Sequence, residues 1–163
     1  MHIVLLEPEI PHNTGAIGRT CHATGAALHL IRPLGFSVDE RAVRRSGLDY
    51  WKDLDVRYYD NFDHFLKENE NARLFMATTK ARRSYAEVEY HMDDYIVFGR
   101  ESQGLPEELL LQYPESAIRI PMKPDMRSLN LSVSAGIVLY EALRQTGFTA
   151  LETKGNLHRH SWE

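Results

Sequence analysis

Six short, largely apolar runs most constrain what this chain can become: residues 2–6, 28–31, 56–59, 74–77, 95–98 and 117–120. In most of them the apolar residues are consecutive rather than alternating with polar ones, which is the signature of strands buried on both faces. Helical patterns fill the gaps. One covers about residues 14–25, and Ser37-Val38-Asp39-Glu40 forms a capping box that opens a short helix through Arg45. Asn61 or Asp60 caps a helix over 62–67, Pro106 starts one over 107–112, and Gly147 stops one over 131–146. Strand and helix alternate along the whole chain, so the expected fold is α/β, a mostly parallel sheet flanked by helices.

The chain has 163 residues, enough for one domain with a core of its own, and that domain is expected over residues 1–148 with a loose tail over 149–163. A single cysteine, Cys21, excludes an internal disulfide framework and points to a reducing compartment. Its place within a helix pattern reads as packing rather than nucleophilic chemistry. Lys and Arg number 19 against 23 Asp and Glu, a net charge of −4, which argues against indiscriminate coating of nucleic acid. The longest nearly uncharged stretch, residues 129–140, is too short to span a bilayer. The first residues carry no basic leader, so no signal peptide and a cytoplasmic setting are expected. Eight histidines form no metal-ligand spacing, and no metal is expected.

Ligands of open parallel sheets bind outside the carboxyl ends of the strands. Three segments lie there. The first is Asn13-Thr14-Gly15-Ala16-Ile17-Gly18-Arg19, where two glycines near a helix start allow close approach of a ligand and Arg19 lies a turn further on. A tight turn with a surface arginine explains the same residues. The second is Phe98-Gly99-Arg100-Glu101-Ser102-Gln103-Gly104-Leu105-Pro106, a loop able to wrap a flat ligand or to make an ordinary strand-to-helix turn. The third runs from Ile120-Pro121-Met122 through Ser128-Leu129-Asn130 into a helix whose first turns lack a polar face. That helix is expected to be buried all round, either as a core helix or with one face at a subunit interface. Arg41, Arg44 and Arg45, and separately Lys80, Arg82 and Arg83, form two basic groups that could hold phosphates or simply face solvent.

Together the three segments resemble the three motifs of the SPOUT family of RNA methyltransferases. The likeness is greatest to its short branch that methylates the wobble ribose of tRNA. Leu6-Glu7-Pro8-Glu9-Ile10-Pro11-His12-Asn13, Leu30-Ile31-Arg32-Pro33-Leu34-Gly35-Phe36 and Arg44-Arg45-Ser46-Gly47-Leu48-Asp49-Tyr50 carry it further, and it covers nearly all of residues 2–148. The resemblance implies a carboxyl-terminal deep trefoil knot, a homodimer and S-adenosylmethionine as methyl donor. It implies cofactor contacts at Ala77, Thr78, Gly99, Glu101, Gly104, Ile120, Met122, Ser128 and Leu129. Arg19, Ser128, Asn130 and Tyr140 would act on the reacting hydroxyl. Asn13, Arg19, Arg44, Arg45, Lys80 and Arg82 would meet the anticodon stem-loop of the tRNA. The implied reaction is 2′-O-methylation of nucleotide 34, cytidine or modified uridine, in leucine tRNAs. A different RNA target, or an RNA-binding dimer without catalysis, are the alternatives.

Overall fold

The structure is a computed structural model that describes residues 1–37 and 49–162. The expected helix opened by Ser37, and with it Arg41, Arg44 and Arg45, lies outside the described residues. In chain order come β1 (His2–Leu6), α1 (Pro11–Thr24), β2 (Ala27–Ile31), β3 (Val56–Tyr59), α2 (Phe62–Glu68), β4 (Leu74–Ala77), β5 (Arg83–Ser84), β6 (Tyr95–Phe98), α3 (Glu107–Leu110), β7 (Ala117–Arg119) and α4 (Leu131–Gln145). Short 3-10 turns at Asp49–Asp53, Tyr85–Glu87 and Pro114–Ser116 complete the list.

The strands form one parallel sheet in the order β3-β2-β1-β6-β4-β7-β5. Apolar side chains on its two faces feed two cores. In β1, Ile3 and Leu5 join the core that α1 and α4 cover, whereas Val4 and Leu6 join the one over α2. Phe75 against Leu74 and Met76 in β4, and Ile96 and Phe98 against Val97 in β6, divide in the same way. Burial on both faces is why these strands read as unbroken apolar runs.

Several boundaries differ from expectation. Helix α1 begins at Pro11, three residues early, because proline suits the first helical turn, where no intrahelical donor is needed. Helix α3 is a single turn ending at Leu110 rather than 112. Strand β5, two residues long and polar, carries no apolar signal. Of the two expectations for the last helix, burial as a core helix within the chain is not met. Leu131, Ala135, Val138, Leu139, Ala142 and Leu143 are buried, but Val133 is 50% and Tyr140 47% exposed. One apolar face of α4 is therefore open in the single chain. Residues 152–162 are exposed and carry no helix or strand. No helix among the described residues is long and apolar enough to cross a membrane.

Candidate active site at the carboxyl ends of the strands

The chain runs outward from β1 through β2 to β3, then returns to β4 on the far side of β6. A sheet whose order reverses in this way leaves a crevice beyond its strand ends. Here the crevice is a cavity of about 530 Å³. Its walls come from the segments after β4 (Ala77, Thr78, Lys80), after β6 (Gly99 to Gly104) and after β7 (Ile120, Met122), and from Ser128, Leu129 and Asn130 leading into α4. Asn13 of α1 completes the ring.

The loop after β6 depends on two glycines for different reasons. A Cβ on Gly99 would lie 2.1 Å from the carbonyl carbon of Gly104, so only a glycine lets the loop fold back onto its own start. Gly104 has a φ of 70°, in the left-handed region, and its amide donates to the Arg100 carbonyl at 2.8 Å. The result is a compact ridge along one wall of the cavity.

Glu101 leaves this ridge toward the start of α1. Its Oε2 accepts from the Glu9 amide (2.8 Å), and its Oε1 accepts from the Ile10 amide (3.2 Å) and from Asn13 Nδ2 (3.1 Å). Helix α1 has no capping side chain of its own at Ile10, so this carboxylate satisfies amides at its entry and places negative charge at the positive end of the helix. Glu9 reciprocates: its carboxylate accepts from the amide and hydroxyl of Ser102 at 2.9 and 2.8 Å. On its other side, Asn13 Oδ1 accepts from Asn130 Nδ2 at 3.0 Å. Asn130 Oδ1 in turn caps α4, accepting from the Ser132 and Val133 amides at 2.8 and 3.3 Å. One hydrogen-bond chain thus ties all three segments singled out by sequence.

Neither glycine of the first segment lines the cavity. Both lie inside α1, and a Cβ on Gly18 would meet the Trp51 ring at 2.8 Å, so this glycine seats an aromatic side chain. Arg19 is exposed and lies over the Tyr50 ring, 5.2 Å from its centroid, and is not among the residues lining the cavity of its own chain. Tyr140 lies on the open face of α4, and Arg82 is exposed after β4; neither lines the cavity. Lys80 does, and its Nζ is 2.9 Å from Glu107 Oε1. Arg100, on the rim, pairs with Glu7. Arg119, Arg127 and Tyr85 also line the cavity although the sequence reading singles out none of them. Only their positions next to strand ends could have raised them.

Elsewhere the charge pattern is structural. Burial pushes the Cys21 thiol up to about 12, which makes it a packing group and not a nucleophile. Among the described residues no cluster of three or more His, Cys, Asp or Glu could hold a metal ion.

The cavity suits a flexible, amphiphilic small molecule. Its volume falls in the range of about 300–1,000 Å³ usual for such sites. Ile120, Leu129, Leu131 and Val138 give apolar walls, and Thr78, Ser128 and Ser134 add hydroxyls.

Comparison with known proteins agrees with this arrangement. The model of the SpoU rRNA methylase family matches residues 1–140. The tRNA (cytidine(34)-2'-O)-methyltransferase of Escherichia coli K12 is 47% identical over 149 residues, 91% of this chain and 95% of that protein. A structure described as giving structural insights into the 2-OH methylation of C/U34 on tRNA is 46% identical. It superposes with a TM-score of 0.83 over 90% of this chain and 95% of that one. An AdoMet-bound rRNA methyltransferase from Sinorhizobium meliloti is 25% identical, with a TM-score of 0.75 over 88% of this chain and 55% of that one. With the family model spanning most of its length and close relatives along nearly all of it, the chain belongs to the SpoU rRNA methylase family.

Proposed function

We propose that this protein transfers a methyl group from S-adenosylmethionine to the ribose 2′-hydroxyl of the tRNA wobble nucleotide. The convergence of all three segments on one cavity, tied together by Glu101, Asn13 and Asn130, is the observation that carries this reading. The names of the E. coli relative and of the C/U34 structure support the substrate, and the AdoMet-bound relative supports the cofactor.

When bound, the cofactor supplies an electrophilic methyl on a sulfonium, and the chain supplies alignment, exclusion of water and charge management. Ala77, Thr78, Gly99, Gly104, Ile120, Met122 and Leu129 would hold it, several through backbone groups. Glu101, whose carboxylate is already engaged at the start of α1, would act by fixing the wall. In this reading Ser128 and Asn130 would orient the hydroxyl. Arg19 stays protonated in a protein and so cannot take the hydroxyl proton; its role is to position and stabilise negative charge. Tyr140 belongs to the same reading as an orienting group. Lys80, Arg82, Arg44 and Arg45 would contact phosphates of the anticodon stem-loop.

The same reading includes a homodimer and a carboxyl-terminal trefoil knot, in a domain over residues 1–148 working in the cytoplasm. The open apolar face of α4, with Val133 and Tyr140 half exposed, supports the dimer. Leucine tRNAs and a modified uridine at position 34 belong to it as the finer substrate. Methyl transfer from labelled S-adenosylmethionine to unmodified tRNA tests the whole reading, with analytical ultracentrifugation reporting the mass of the assembly. Transfer by a particle of twice the chain mass is expected. Cofactor binding with no transfer to any tRNA would contradict the reading.

A further inference from the structure

Arg19 carries the charge stabilisation proposed above, yet the cavity of its own chain does not hold it. Its side chain is exposed, and among the described residues no carboxylate pairs with it. An unrestrained arginine samples many rotamers. A group that must meet one developing charge loses rate in proportion to the time it spends pointing elsewhere.

The contact that restrains it comes from the 3-10 turn Asp49–Asp53. The Arg19 guanidinium carbon lies over the Tyr50 ring, 5.2 Å from its centroid. That is within the reach of about 6 Å over which a ring face attracts a cation. The ring is itself fixed. Its hydroxyl donates to the Gly15 carbonyl at 2.6 Å, the carbonyl that α-helical pairing also assigns to the Arg19 amide. Burial raises the Tyr50 pKa, so the phenol keeps the proton it donates. His22 stacks on the same ring with centroids 5.6 Å apart. The next residue, Trp51, packs where Gly18 has no Cβ, since one there would lie 2.8 Å from its ring. Two successive aromatic side chains thus fasten the 3-10 turn to the stretch of α1 that bears Arg19.

We infer that Tyr50 is a positioning residue for methyl transfer: its ring, anchored to α1 through Gly15, holds the Arg19 guanidinium in the orientation from which it stabilises the reacting centre. This rests on the part proposed above for Arg19. Tyr50 acts through that side chain and lines no wall of the cavity. A purely structural tie between the 3-10 turn and α1 would use the same contacts, but it would act whether or not Arg19 is present. Positioning matters only while there is a guanidinium to position, so the two accounts separate in a double-mutant cycle.

The test measures kcat at saturating tRNA and S-adenosylmethionine. Tyr50→Leu, which fills space without a ring face, should lower kcat about two- to fivefold, the scale of one exposed cation–ring contact. S-adenosylmethionine affinity should stay unchanged. Tyr50→Phe keeps the ring and should recover most of the loss. Adding Tyr50→Leu to Arg19→Ala should lower kcat no further. The same fall in both backgrounds, or wild-type kcat in Tyr50→Leu, overturns the positioning role while leaving the methyltransferase reading intact. If Tyr50→Leu fails to fold, phenylalanine with none, one, two or three ring fluorines at position 50 keeps the shape. The ring face loses negative potential with each fluorine, so kcat should fall along the series, and a flat series overturns the role. Full activity in Arg19→Ala overturns the inference together with the part given to Arg19. Wild-type protein that transfers no methyl to tRNA overturns both the inference and the proposed activity.

Discussion

Asn13 and Asn130, 117 residues apart in the chain, are joined by a single 3.0 Å hydrogen bond between their side-chain amides. Each spends its other end on a different element: Asn13 Nδ2 donates to Glu101, and Asn130 Oδ1 caps α4. Three segments that form separately are thereby tied to one another, and all three contribute walls to the cavity. Loss of Glu101 or Asn130 would leave the buried Asn13 amide with one partner fewer, so the network is sensitive to its outer members.

Asn13 is only 4% exposed, so water cannot replace it. Asn13→Ala removes two side-chain hydrogen bonds and should lower stability by about 1–2 kcal/mol, since the partners it leaves, Glu101 and Asn130, are not fully buried. Adding Asn130→Ala should cost less than the sum of the single changes, since both remove the same bond. Urea unfolding of the two single variants and the double variant measures this. Strict additivity would contradict a shared network.

Gly99→Ala places a methyl group against the Gly104 backbone, where no flexible side chain can yield. The loop must open, and affinity for S-adenosylmethionine should fall below detection by calorimetry. Gly136→Ala in α4, with nothing within 4 Å of the new Cβ, serves as the control and should bind normally. Normal binding by Gly99→Ala would mean that the loop does not shape the cofactor site.

Arg19 does not line the cavity of its own chain, so its removal should spare cofactor binding. Arg19→Ala should bind S-adenosylmethionine with wild-type affinity and transfer methyl at least about a hundredfold more slowly, the scale of losing one group in the charge-stabilising role proposed for it. Full transfer activity in this variant would remove Arg19 from the mechanism.

His29 is fully buried in β2, between His2 and Tyr59 at 3.0 and 2.8 Å. Asn69 donates to the Tyr59 oxygen, which leaves the phenol proton for His29 Nδ1 and makes the opposite ring nitrogen the donor to His2. Both rings are thus wired in their neutral forms. Burial, then the neighbouring ring, depresses the His29 pKa from 6.5 to about 3, and burial lowers His2 to about 4. The unfolded chain binds protons at these groups below pH 6.5 and the folded chain does not, so their contribution to stability is full above 6.5 and declines as pH falls toward 3. Unfolding at pH 7.5 and 5.0 should show a loss that is smaller in His29→Gln. An equal loss in both proteins would contradict the assignment.

Much of this fold is legible in the sequence because burial on two faces leaves a direct mark. Runs such as Ile3-Val4-Leu5-Leu6 and Tyr95-Ile96-Val97-Phe98 admit few other uses, and segments next to their ends are where a parallel sheet binds ligands. The order of the strands is not legible, since nothing in β1 says that it will pair with β6 rather than β4. Strand β5 is missed because two polar residues carry no periodic signal. Helix α4 leaves its second face undecided for a physical reason: an apolar face open in one chain has the same composition as a face turned to a core. Within the site, the convergence on one cavity follows from the strand ends and from the resemblance, whereas the Glu101–Asn13–Asn130 chain does not. A carboxylate and two amides in sequence say nothing about which of them will meet. Gly18 shows the converse, a glycine that reads as room for a ligand and instead seats Trp51.

The measurement that bears most directly on the proposed activity uses labelled S-adenosylmethionine and tRNA from cells lacking the corresponding enzyme. Nuclease digestion and mass spectrometry then locate the methyl group. Label on the ribose 2′-oxygen of nucleotide 34, lost with Arg19→Ala and with Gly99→Ala, is the expected result. Label confined to any other nucleotide, or to a base instead of a ribose, would contradict the assignment of substrate and chemistry.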